Sequence, residues 1–275
     1  MHESVKQHSL ADVPDLLTTH TFGRAFTYLP RTGSTNDVAK RLARQGAVEG
    51  TVVVADEQTV GRGRLKRRWV APASTCLLCS ILFRPTLRPT QCARLTQLCA
   101  LAAADAVEHL AGLPVALKWP NDLLIAPRSA HPALESWRKL AGVLTETGIQ
   151  GTRLAFAVVG IGVNVNVPPE ALATLAPDAT SILAETGRLT DRATLLTALL
   201  GNVEARYEAL RGGRSPHAEW VARLATLGQP VTTSSGQETI AGVAEAVDED
   251  GALLLRTPDG ALHRLVAGDV TLRHP

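Results

Sequence analysis

A short basic segment, residues 61–69, holds the residue types best suited to chemistry with anions. It reads Gly-Arg-Gly-Arg-Leu-Lys-Arg-Arg-Trp and carries five positive side chains; we call it the arginine loop. Arginine presents planar pairs of donors that match phosphate oxygens, and glycine lets the backbone approach a ligand closely. Neither the Walker pattern nor the dinucleotide-binding glycine pattern fits this spacing. The loop therefore predicts a nucleic-acid contact or capture of a small phosphate-bearing ligand, with a solvated basic loop as the plain alternative.

Three further segments place polar or flexible residues beside apolar stretches. They are Lys118-Trp119-Pro120-Asn121-Asp122, Lys139-Leu140-Ala141-Gly142, and Gly-Ile-Gly-Val-Asn-Val-Asn at 160–166. The turn in the first can present an amide to a purine edge and a carboxylate to a metal ion. Glycines beside a buried strand indicate close backbone approach to a ligand, or else a bulge. Each segment alone is a weak indication, since a plain turn or a surface lysine also explains it.

The composition is that of an ordinary globular protein. The 275 residues carry a formal net charge of +2, and 45% of them are hydrophobic. The hydrophobic fraction excludes a disordered chain, and the near-neutral charge argues against a protein that coats nucleic acid. No apolar run is long enough to cross a bilayer, and residues 1–21 lack the apolar core of a signal peptide. We therefore expect a cytoplasmic protein with no membrane partner.

Four cysteines raise the question of a zinc site or a redox pair, because Cys76 and Cys79 have the spacing C-x-x-C. Both lie in the apolar run 75–83, which predicts a buried strand. Residues three apart on a strand point to opposite faces, a poor geometry for holding one ion. Cys92 and Cys99 are seven apart in a predicted helix and share one face. We interpret all four as buried small hydrophobic residues.

Strands and helices are predicted up to about residue 226, and short alternating segments separated by turn pairs follow from residue 229. The predicted strands are 51–55, 75–83, 115–118, 123–125, 139–147 and 153–159. The predicted helices are 91–111, 190–211 and 216–226, and one that begins at Ser34 or Thr35 and stops at Gly46. These patterns divide the chain into a short tail (1–24), a main domain (25–226) and a small β-barrel domain (227–275). Residues 126–138 are predicted to be an irregular insertion.

The order and spelling of five segments resemble those of the biotin–protein ligases. The segments are Ser34-Thr35-Asn36, Gln-x-x-Gly-Arg-Gly-Arg at 58–64, Lys118 to Asp122, Lys139 to Gly142, and Gly160 to Asn164. The stretches 251–255 and 268–273 also resemble the small C-terminal barrel of that family. The resemblance covers residues 30–275, and it is specific because all five segments fall in the order of the family.

The resemblance implies an α+β fold. Its main part would be a mixed β-sheet flanked by helices, similar to class II synthetases and biotin–lipoate ligases, followed by a small Src-homology-3-like β-barrel. It implies an enzyme that uses ATP and Mg to convert biotin to biotinyl-5′-AMP. The biotin would then pass to a lysine of the biotin carboxyl carrier protein of acetyl-CoA carboxylase. A homodimer is compatible with this resemblance.

The resemblance also assigns roles to individual residues. The expected biotin contacts are Ser34, Thr35, Asn36 and Gln58. The expected catalytic groups are Lys139, Arg62 and Arg64, with Lys139 against the biotin carboxylate and the α-phosphate. Trp69 would flank the adenine, Asn121 the nucleotide, and Asp122 the metal ion. The remaining ligand-binding assignments are Gly61, Gly63, Lys118, Gly142 and Asn164.

Some features depart from the family pattern or leave alternatives open. Lys66 stands where the family loop usually has glycine, and the insertion at 126–138 is longer than expected. No histidine falls in the five segments, so no general base is assigned for transfer to lysine. Only about 24 residues precede the ligase region, too few for a DNA-binding domain, so we expect a monofunctional ligase with no DNA partner. A lipoate–protein ligase and a non-catalytic phosphate- or RNA-binding module are the alternatives.

Overall fold

The computed structural model describes residues 7–126, 136–235, 238–266 and 269–271. Most of the predicted insertion at 126–138 lies outside the described residues. The described part of the chain forms two β-sheets, of seven and five strands. Helices surround the larger sheet, and the smaller sheet is C-terminal.

The larger sheet is mixed. Its strands are β1 (Phe26–Thr32), β2 (Val52–Gln58), β3 (Cys76–Phe83), β4 (Ala116–Lys118), β5 (Asp122–Ile125), β6 (Arg138–Gln150) and β7 (Arg153–Asn164). Their order across the sheet is β1-β2-β3-β7-β6-β5-β4. β1 and β2 are parallel, and every other neighbouring pair is antiparallel. β3 is buried at every residue, because an apolar run inside a sheet that is covered on both faces has no solvent side.

Helices cover both faces of the larger sheet. They are α1 (Val13–Leu16), α2 (Thr35–Arg44), α3 (Ala93–Ala111), α4 (Pro169–Leu175), α5 (Ile182–Thr186), α6 (Arg192–Arg211) and α7 (His217–Ala222). Val38 of α2 packs in one apolar cluster with Val53 and Leu82. The neighbouring strand residues Val54 and Ile81 belong to the main core with α3 and α6 on the other face, as the alternation of a pleated strand requires. The expected mixed sheet flanked by helices is confirmed.

No helix in these described ranges is both long and apolar enough to cross a membrane.

The smaller sheet is antiparallel throughout. Its strands are β8 (Pro230–Ser235), β9 (Glu238–Val247), β10 (Leu253–Arg256), β11 (Leu262–Leu265) and β12 (Asp269–Thr271), and their order is β11-β10-β9-β8-β12. Trp119 joins this sheet to the main part of the chain. Its indole Nε1 donates to the carbonyl of Gly251 at 2.9 Å, and its backbone N–H donates to Thr226 Oγ1 at 3.0 Å. A small antiparallel C-terminal sheet is therefore present, as predicted.

The N-terminal segment is folded where the sequence predicted a short tail at 1–24. A 3-10 turn at Leu10–Asp12 follows Ser9, whose hydroxyl accepts the backbone N–H of Ala11 at 3.1 Å, and α1 comes next. Leu10 and Val13 are buried in the main core. Two such short turns carry little periodicity of their own and depend on tertiary packing, so the sequence pattern did not reveal them.

A buried carboxylate anchors this segment to α6. Glu204 accepts the backbone N–H groups of His20, Thr21 and Phe22 at 2.8, 2.6 and 3.1 Å. Burial raises the pKa of Glu204, but the three N–H donors outweigh it and hold the pKa below its ordinary value. Glu204 is therefore ionised in the folded protein at neutral pH.

β6 and β7 are longer than the predicted strands at 139–147 and 153–159. The ladder between β7 and β3 runs without interruption through Gly160 and Gly162, so this glycine run is strand and not a bulge. Beyond β7, α4 and α5 were not predicted. Each is a short helix of a few residues, α5 beginning where Ser181 Oγ accepts the N–H of Ala184 at 3.0 Å.

The four cysteines are free. Cys76, Cys79 and Cys99 are buried, as predicted, whereas Cys92 is only half-buried. Cys76 and Cys79 lie in separate apolar clusters, which agrees with the expected opposite faces of one strand. Burial raises the pKa of each of these two thiols to about 12, so both stay protonated and unreactive at neutral pH.

Candidate active site

A cleft open to solvent lies where the start of α2, the end of β2 and the C-terminal half of β7 meet. The arginine loop and the start of β6 complete its lining. All of the residues predicted for the site except Gly61, Lys118 and Asn164 line this cleft. The predicted residues that line it are Ser34, Thr35, Asn36, Gln58, Arg62, Gly63, Arg64, Trp69, Asn121, Asp122, Lys139 and Gly142. Segments that are far apart in the sequence are therefore brought to one place by the sheet.

Gly61, Lys118 and Asn164 are absent from the lining as the described residues define it. Gly61 closes the base of the arginine loop, where its carbonyl accepts the N–H of Trp69 at 3.0 Å. A Cβ at Gly61 would lie 2.5 Å from the carbonyl oxygen of Trp69, so the loop needs glycine for its own closure. Lys118 ends β4, in register with Asp122 across the turn.

Asn164 supports the chain behind the cleft. Its side-chain nitrogen donates to the carbonyl of Thr180 at 2.9 Å, and its oxygen accepts the thiol of Cys76 at 3.4 Å. The residue is buried. These contacts support the chain around the cleft, and the role of Asn164 as a ligand contact stays a prediction.

One wall of the cleft is a chain of hydroxyl and amide groups, the polar wall (Thr35, Asn36 and Gln58), with the buried Ser80 behind it. The backbone N–H and the hydroxyl of Thr35 both donate to Gln58 Oε1, at 2.7 and 3.0 Å. Ser80 Oγ lies 2.8 Å from Thr35 Oγ1 and 2.5 Å from Asn36 Oδ1. Ser80 is fully buried and was not indicated by any motif, yet it connects the two halves of the wall.

Four charged side chains meet at the edge of the polar wall, and we call them the Glu146 cluster (Asp37, Lys40, Arg62 and Glu146). Glu146 Oε2 accepts from Asn36 Nδ2 at 2.8 Å and from Arg62 Nη2 at 3.1 Å. Its other oxygen accepts from Lys40 Nζ at 2.6 Å. Arg62 Nη2 also contacts Asp37 Oδ1 at 2.6 Å. Of these four residues, the sequence singled out only Arg62.

The cluster keeps its carboxylates ionised. Burial raises the pKa of Glu146, but hydrogen bonds from Lys40 and Asn36 and the nearby positive charges bring it below its ordinary value. Burial also raises the pKa of Asp37, but hydrogen bonds from Arg62 and Lys40 outweigh it and bring that pKa below its ordinary value. One signal could have found Glu146: alternation along β6 puts it on the same face as the cleft residue Leu144.

The arginine loop forms a tight hairpin. The N–H of Gly63 donates to the carbonyl of Arg67 at 2.8 Å, and the N–H of Arg67 donates to the carbonyl of Arg64 at 3.0 Å. At the tip, Leu65 has a φ of 52°, in the left-handed region that costs an ordinary residue about 1 kcal/mol.

Two glycines of β7 let side chains lie directly on the sheet at the floor of the cleft. A Cβ on Gly160 would lie 2.3 Å from Asn36 Oδ1, and one on Gly162 would lie 3.0 Å from the Trp69 ring. The sequence predicted that these glycines admit a close ligand. In the structure, the space above them is taken by Asn36 and Trp69, so the glycines act by seating these two side chains.

Lys139 lies between a carboxylate and an aromatic ring. Its Nζ is 2.6 Å from Asp122 Oδ1 and 5.8 Å from the centroid of the Trp69 ring. The turn that carries Asp122 is fixed to β6, because Asn121 Nδ2 donates to the Val143 carbonyl at 2.7 Å and the Val143 N–H donates back to the Asn121 carbonyl at 2.9 Å. A positive charge is thus held at the cleft by a partner that an incoming anion can replace.

Asp122 is the residue predicted to hold a metal ion. No group of three or more His, Cys, Asp or Glu side chains among the described residues could hold a metal unaided. Magnesium in nucleotide sites is commonly held by one or two carboxylates, substrate phosphates and water. A single carboxylate at the cleft fits an ion that arrives with a nucleotide, and this role of Asp122 stays a prediction.

Arg64 connects the arginine loop to Trp119. The Arg64 guanidinium carbon lies 6.0 Å from the centroid of the Trp119 ring, the distance of a cation–π contact. The same indole donates to the carbonyl of Gly251, in the turn between β9 and β10 of the smaller sheet. The loop, the turn at Trp119 and the C-terminal sheet are therefore in continuous contact.

Two parts of the chain match described protein families. Residues 28–164 match the Biotin/lipoate A/B protein ligase family, and residues 226–273 match the Biotin protein ligase C terminal domain. The first range holds every segment that lines the cleft, and the second holds the smaller sheet.

Similar proteins that are named as ligases cover most of the chain. The biotin--[acetyl-CoA-carboxylase] ligase of Paracoccus denitrificans is 37% identical over 240 residues, which are 84% of this chain and 94% of that protein. The ligase of the same name from Mycobacterium tuberculosis is 35% identical over 254 residues, 90% of this chain and 88% of that protein. The bifunctional ligase/repressor of Bacillus subtilis is 32% identical over 259 residues, 93% of this chain and 76% of that protein.

The fold is also similar to a solved structure with bound substrates. The biotin protein ligase from Aquifex aeolicus, in complex with biotin and ATP, superposes with a TM-score of 0.72 at 28% sequence identity. The match covers 92% of this chain and all of that one. The cleft and the two sheets are thus those of a protein-modifying ligase. The chain belongs to the Biotin/lipoate A/B protein ligase family, as a biotin–protein ligase, which confirms the resemblance seen in its motifs.

Proposed function

We propose that this chain converts biotin and ATP to biotinyl-5′-AMP, then transfers the biotin to a lysine of the biotin carboxyl carrier protein of acetyl-CoA carboxylase. The observation that carries the proposal is a single cleft lined by the polar wall, the arginine loop and Lys139. Two relatives bear the name of this activity, and the similar Aquifex structure is described with biotin and ATP.

The polar wall is assigned to the ureido ring of biotin. That ring has N–H donors and a carbonyl acceptor, so it needs fixed polar partners inside an otherwise apolar pocket. Thr35, Asn36 and Gln58 supply hydroxyl and amide groups, and Ser34 lies beside them in the lining. Hydrogen bonds among these residues hold them in place before the ligand arrives.

The first step is adenylation. A carboxylate oxygen of biotin attacks the α-phosphorus of ATP, and the bond to pyrophosphate breaks as the new P–O bond forms. Two anions approach each other, so positive groups are needed where the charge accumulates. Arg62, Arg64 and Lys139 are assigned to this role. Lys139 would leave Asp122 for the substrate, while the ring of Trp69 offers a surface for the adenine.

Magnesium bound with ATP would supply further positive charge along the phosphates. Asp122 would be its protein ligand, with Asn121 beside it at the nucleotide. Both side chains sit on the turn that hydrogen bonds fix to β6.

The second step is transfer. The uncharged amine of the acceptor lysine attacks the acyl carbon of the adenylate, an amide bond forms, and AMP leaves with the electrons of the broken C–O bond. One proton must leave the lysine nitrogen. Of the described residues that line the cleft, none is a histidine.

The proposal extends to the organisation of the chain. We infer a main catalytic domain at 25–226 and a C-terminal domain at 227–275 whose five strands form a small Src-homology-3-like barrel. We place the enzyme in the cytoplasm, acting without DNA, and a homodimer is compatible with it. The oligomeric state is measured by light scattering with and without biotin.

The decisive experiment is transfer of labelled biotin to a purified biotin carboxyl carrier protein with Mg-ATP. The label should become covalently bound and pyrophosphate should be released only when biotin and ATP are both present. A carrier protein whose acceptor lysine is replaced by arginine is the matched control and should stay unlabelled. Lipoate in place of biotin tests the related ligase activity; labelling with lipoate and none with biotin would overturn the proposal.

A further inference from the structure

We propose that Glu146 is a positioning residue for this reaction, because its carboxylate holds the Asn36 amide and the Arg62 guanidinium in one arrangement. The inference rests on the proposed function, which makes Asn36 a biotin contact and Arg62 a part of the adenylate loop. Glu146 lies outside every motif that the sequence revealed. Its importance appears only when α2, the arginine loop and β6 come together.

Glu146 decides which way the amide of Asn36 faces. An ionised carboxylate can only accept hydrogen bonds, so the group 2.8 Å from Glu146 Oε2 must be the Asn36 nitrogen. The Asn36 oxygen is then directed to Ser80 Oγ, 2.5 Å away. Ser80 has one hydroxyl proton to give, and this contact can use it. A neutral group in place of Glu146 would remove the reason for this orientation.

Glu146 also fixes the arginine loop to the polar wall. The oxygen that accepts from Asn36 accepts from Arg62 Nη2 as well, at 3.1 Å. Asp37 contacts Arg62 too, but its side chain is 53% exposed against 27% for Glu146. The contact with Asp37 is the shorter, at 2.6 Å, but a pair that is more exposed to water is more strongly screened, so both carboxylates hold Arg62. Only Glu146 also joins Arg62 to Asn36.

Lys40 completes the arrangement. It lies one helical turn after Asn36 on α2 and donates to Glu146 Oε1 at 2.6 Å. The two oxygens of one carboxylate are thus engaged by the helix, the polar wall and the loop. Groups fixed before binding lose less freedom when the ligand arrives, so Glu146 should favour biotin binding without contacting biotin.

The test is Glu146→Gln, which keeps the size of the side chain and removes its charge. Hydrogen bonds to charged groups are worth enough that we expect the KM for biotin to rise about tenfold. The KM for ATP should rise less than the KM for biotin, and the thermal unfolding midpoint should stay near its wild-type value. Glu146→Asp, which keeps the charge on a shorter side chain, should recover part of the loss. The matched control is Glu57→Gln, whose carboxylate pairs with the exposed Arg31 at 3.2 Å.

A double-mutant cycle shows whether Glu146 acts through Asn36. Asn36→Ala should raise the KM for biotin by itself, and adding Glu146→Gln should raise it by less than about twofold more. Fully multiplicative effects would show that the two residues act independently and would overturn the inference. So would an unchanged KM for biotin in Glu146→Gln, or equal rises in both KM values with a lower unfolding midpoint.

Assays of the wild-type protein distinguish failure of the proposed function from failure of the positioning role of Glu146. If it releases no pyrophosphate in response to biotin, the proposed function fails and the role of Glu146 fails with it. If the wild type is active and Glu146→Gln matches it in every parameter, the ligase activity stands and only the positioning role is overturned.

Discussion

Replacing Gly160 with alanine is expected to remove most biotin binding while the chain still folds. The new Cβ would lie 2.3 Å from Asn36 Oδ1 and 2.9 Å from Asn36 Cγ, closer than such atoms approach. Gly160 has no left-handed φ, so alanine can adopt its backbone conformation without strain. The change therefore acts by occupying space, and the side chain that must move is Asn36.

The size of the effect follows from the contacts that Asn36 would lose. Moving it breaks the 2.5 Å contact with Ser80 and the 2.8 Å hydrogen bond to ionised Glu146. A neutral hydrogen bond contributes about 1 kcal/mol and one to a charged group about 2 kcal/mol. If biotin binding depends on this arrangement, the loss of about 3 kcal/mol corresponds to a rise of roughly 100-fold in the KM for biotin.

The assay is biotin-dependent pyrophosphate release, with thermal unfolding to show that the fold survives. Gly162→Ala is an informative partner, because its Cβ would meet the ring of Trp69 at 3.0 Å and should raise the KM for ATP more than that for biotin. Gly201→Ala in α6, where a Cβ meets no atom within 4 Å, should leave both values unchanged. A wild-type KM for biotin in Gly160→Ala would refute the reasoning, as would the same pattern of KM changes in Gly160→Ala and Gly162→Ala.

Three further predictions concern the catalytic lysine, a buried carboxylate and the arginine loop. Lys139→Ala should reduce biotin-dependent pyrophosphate release roughly 100-fold, the cost of one electrostatic contact in a transition state, with an unfolding midpoint near that of the wild type; full activity would contradict it. Glu204→Gln should lower the free energy of unfolding by about 1–3 kcal/mol at pH 7, measured in urea. Because the folded pKa of Glu204 is depressed, its stabilisation is present above the unfolded pKa and is lost as pH falls through the folded pKa. The difference in free energy of unfolding between the wild type and Glu204→Gln should therefore shrink below pH 4.5. A difference that does not change with pH would count against this. Trypsin cleavage within the arginine loop should slow when biotin and ATP are both added, since an anion relieves the repulsion among its five positive charges; equal cleavage rates would show that the loop does not close.

Much of the main sheet follows from local sequence. The apolar run at 75–83 predicts β3, and the stripe of apolar residues at 91–111 predicts α3, because both are long enough for their period to be read. The N-terminal turns around Leu10 and Val13 were not predicted from the sequence, because their stability comes from the core that they contact. The ends of β6 and β7 were not predicted either, because pairing with neighbouring strands extends both strands into glycine-containing sequence.

The candidate site also contains some residues that the sequence identifies and others that only the structure shows. Motifs identify residues such as Arg62 and Lys139, whose chemistry is evident from their type and neighbours. Motifs do not show which neighbours a side chain contacts: Asn164 is hydrogen-bonded to Thr180 and Cys76, and its assignment to the ligand stays a prediction. Alternation along β6 could have placed Glu146 on the cleft face, but not its contact with Asn36, which is 110 residues away and is brought near only in the folded sheet.

Trp119 limits how this enzyme can be shortened. A fragment that ends at Leu227 would look complete by its motifs, since every residue of the cleft lining precedes that point. It would nevertheless lose the Gly251 carbonyl that accepts the indole N–H of Trp119, and with it the anchoring of the ring on which Arg64 rests. A minimal ligase made by removing the C-terminal sheet is therefore expected to have a poorly supported arginine loop. Attempts to engineer smaller versions should preserve this contact or replace it.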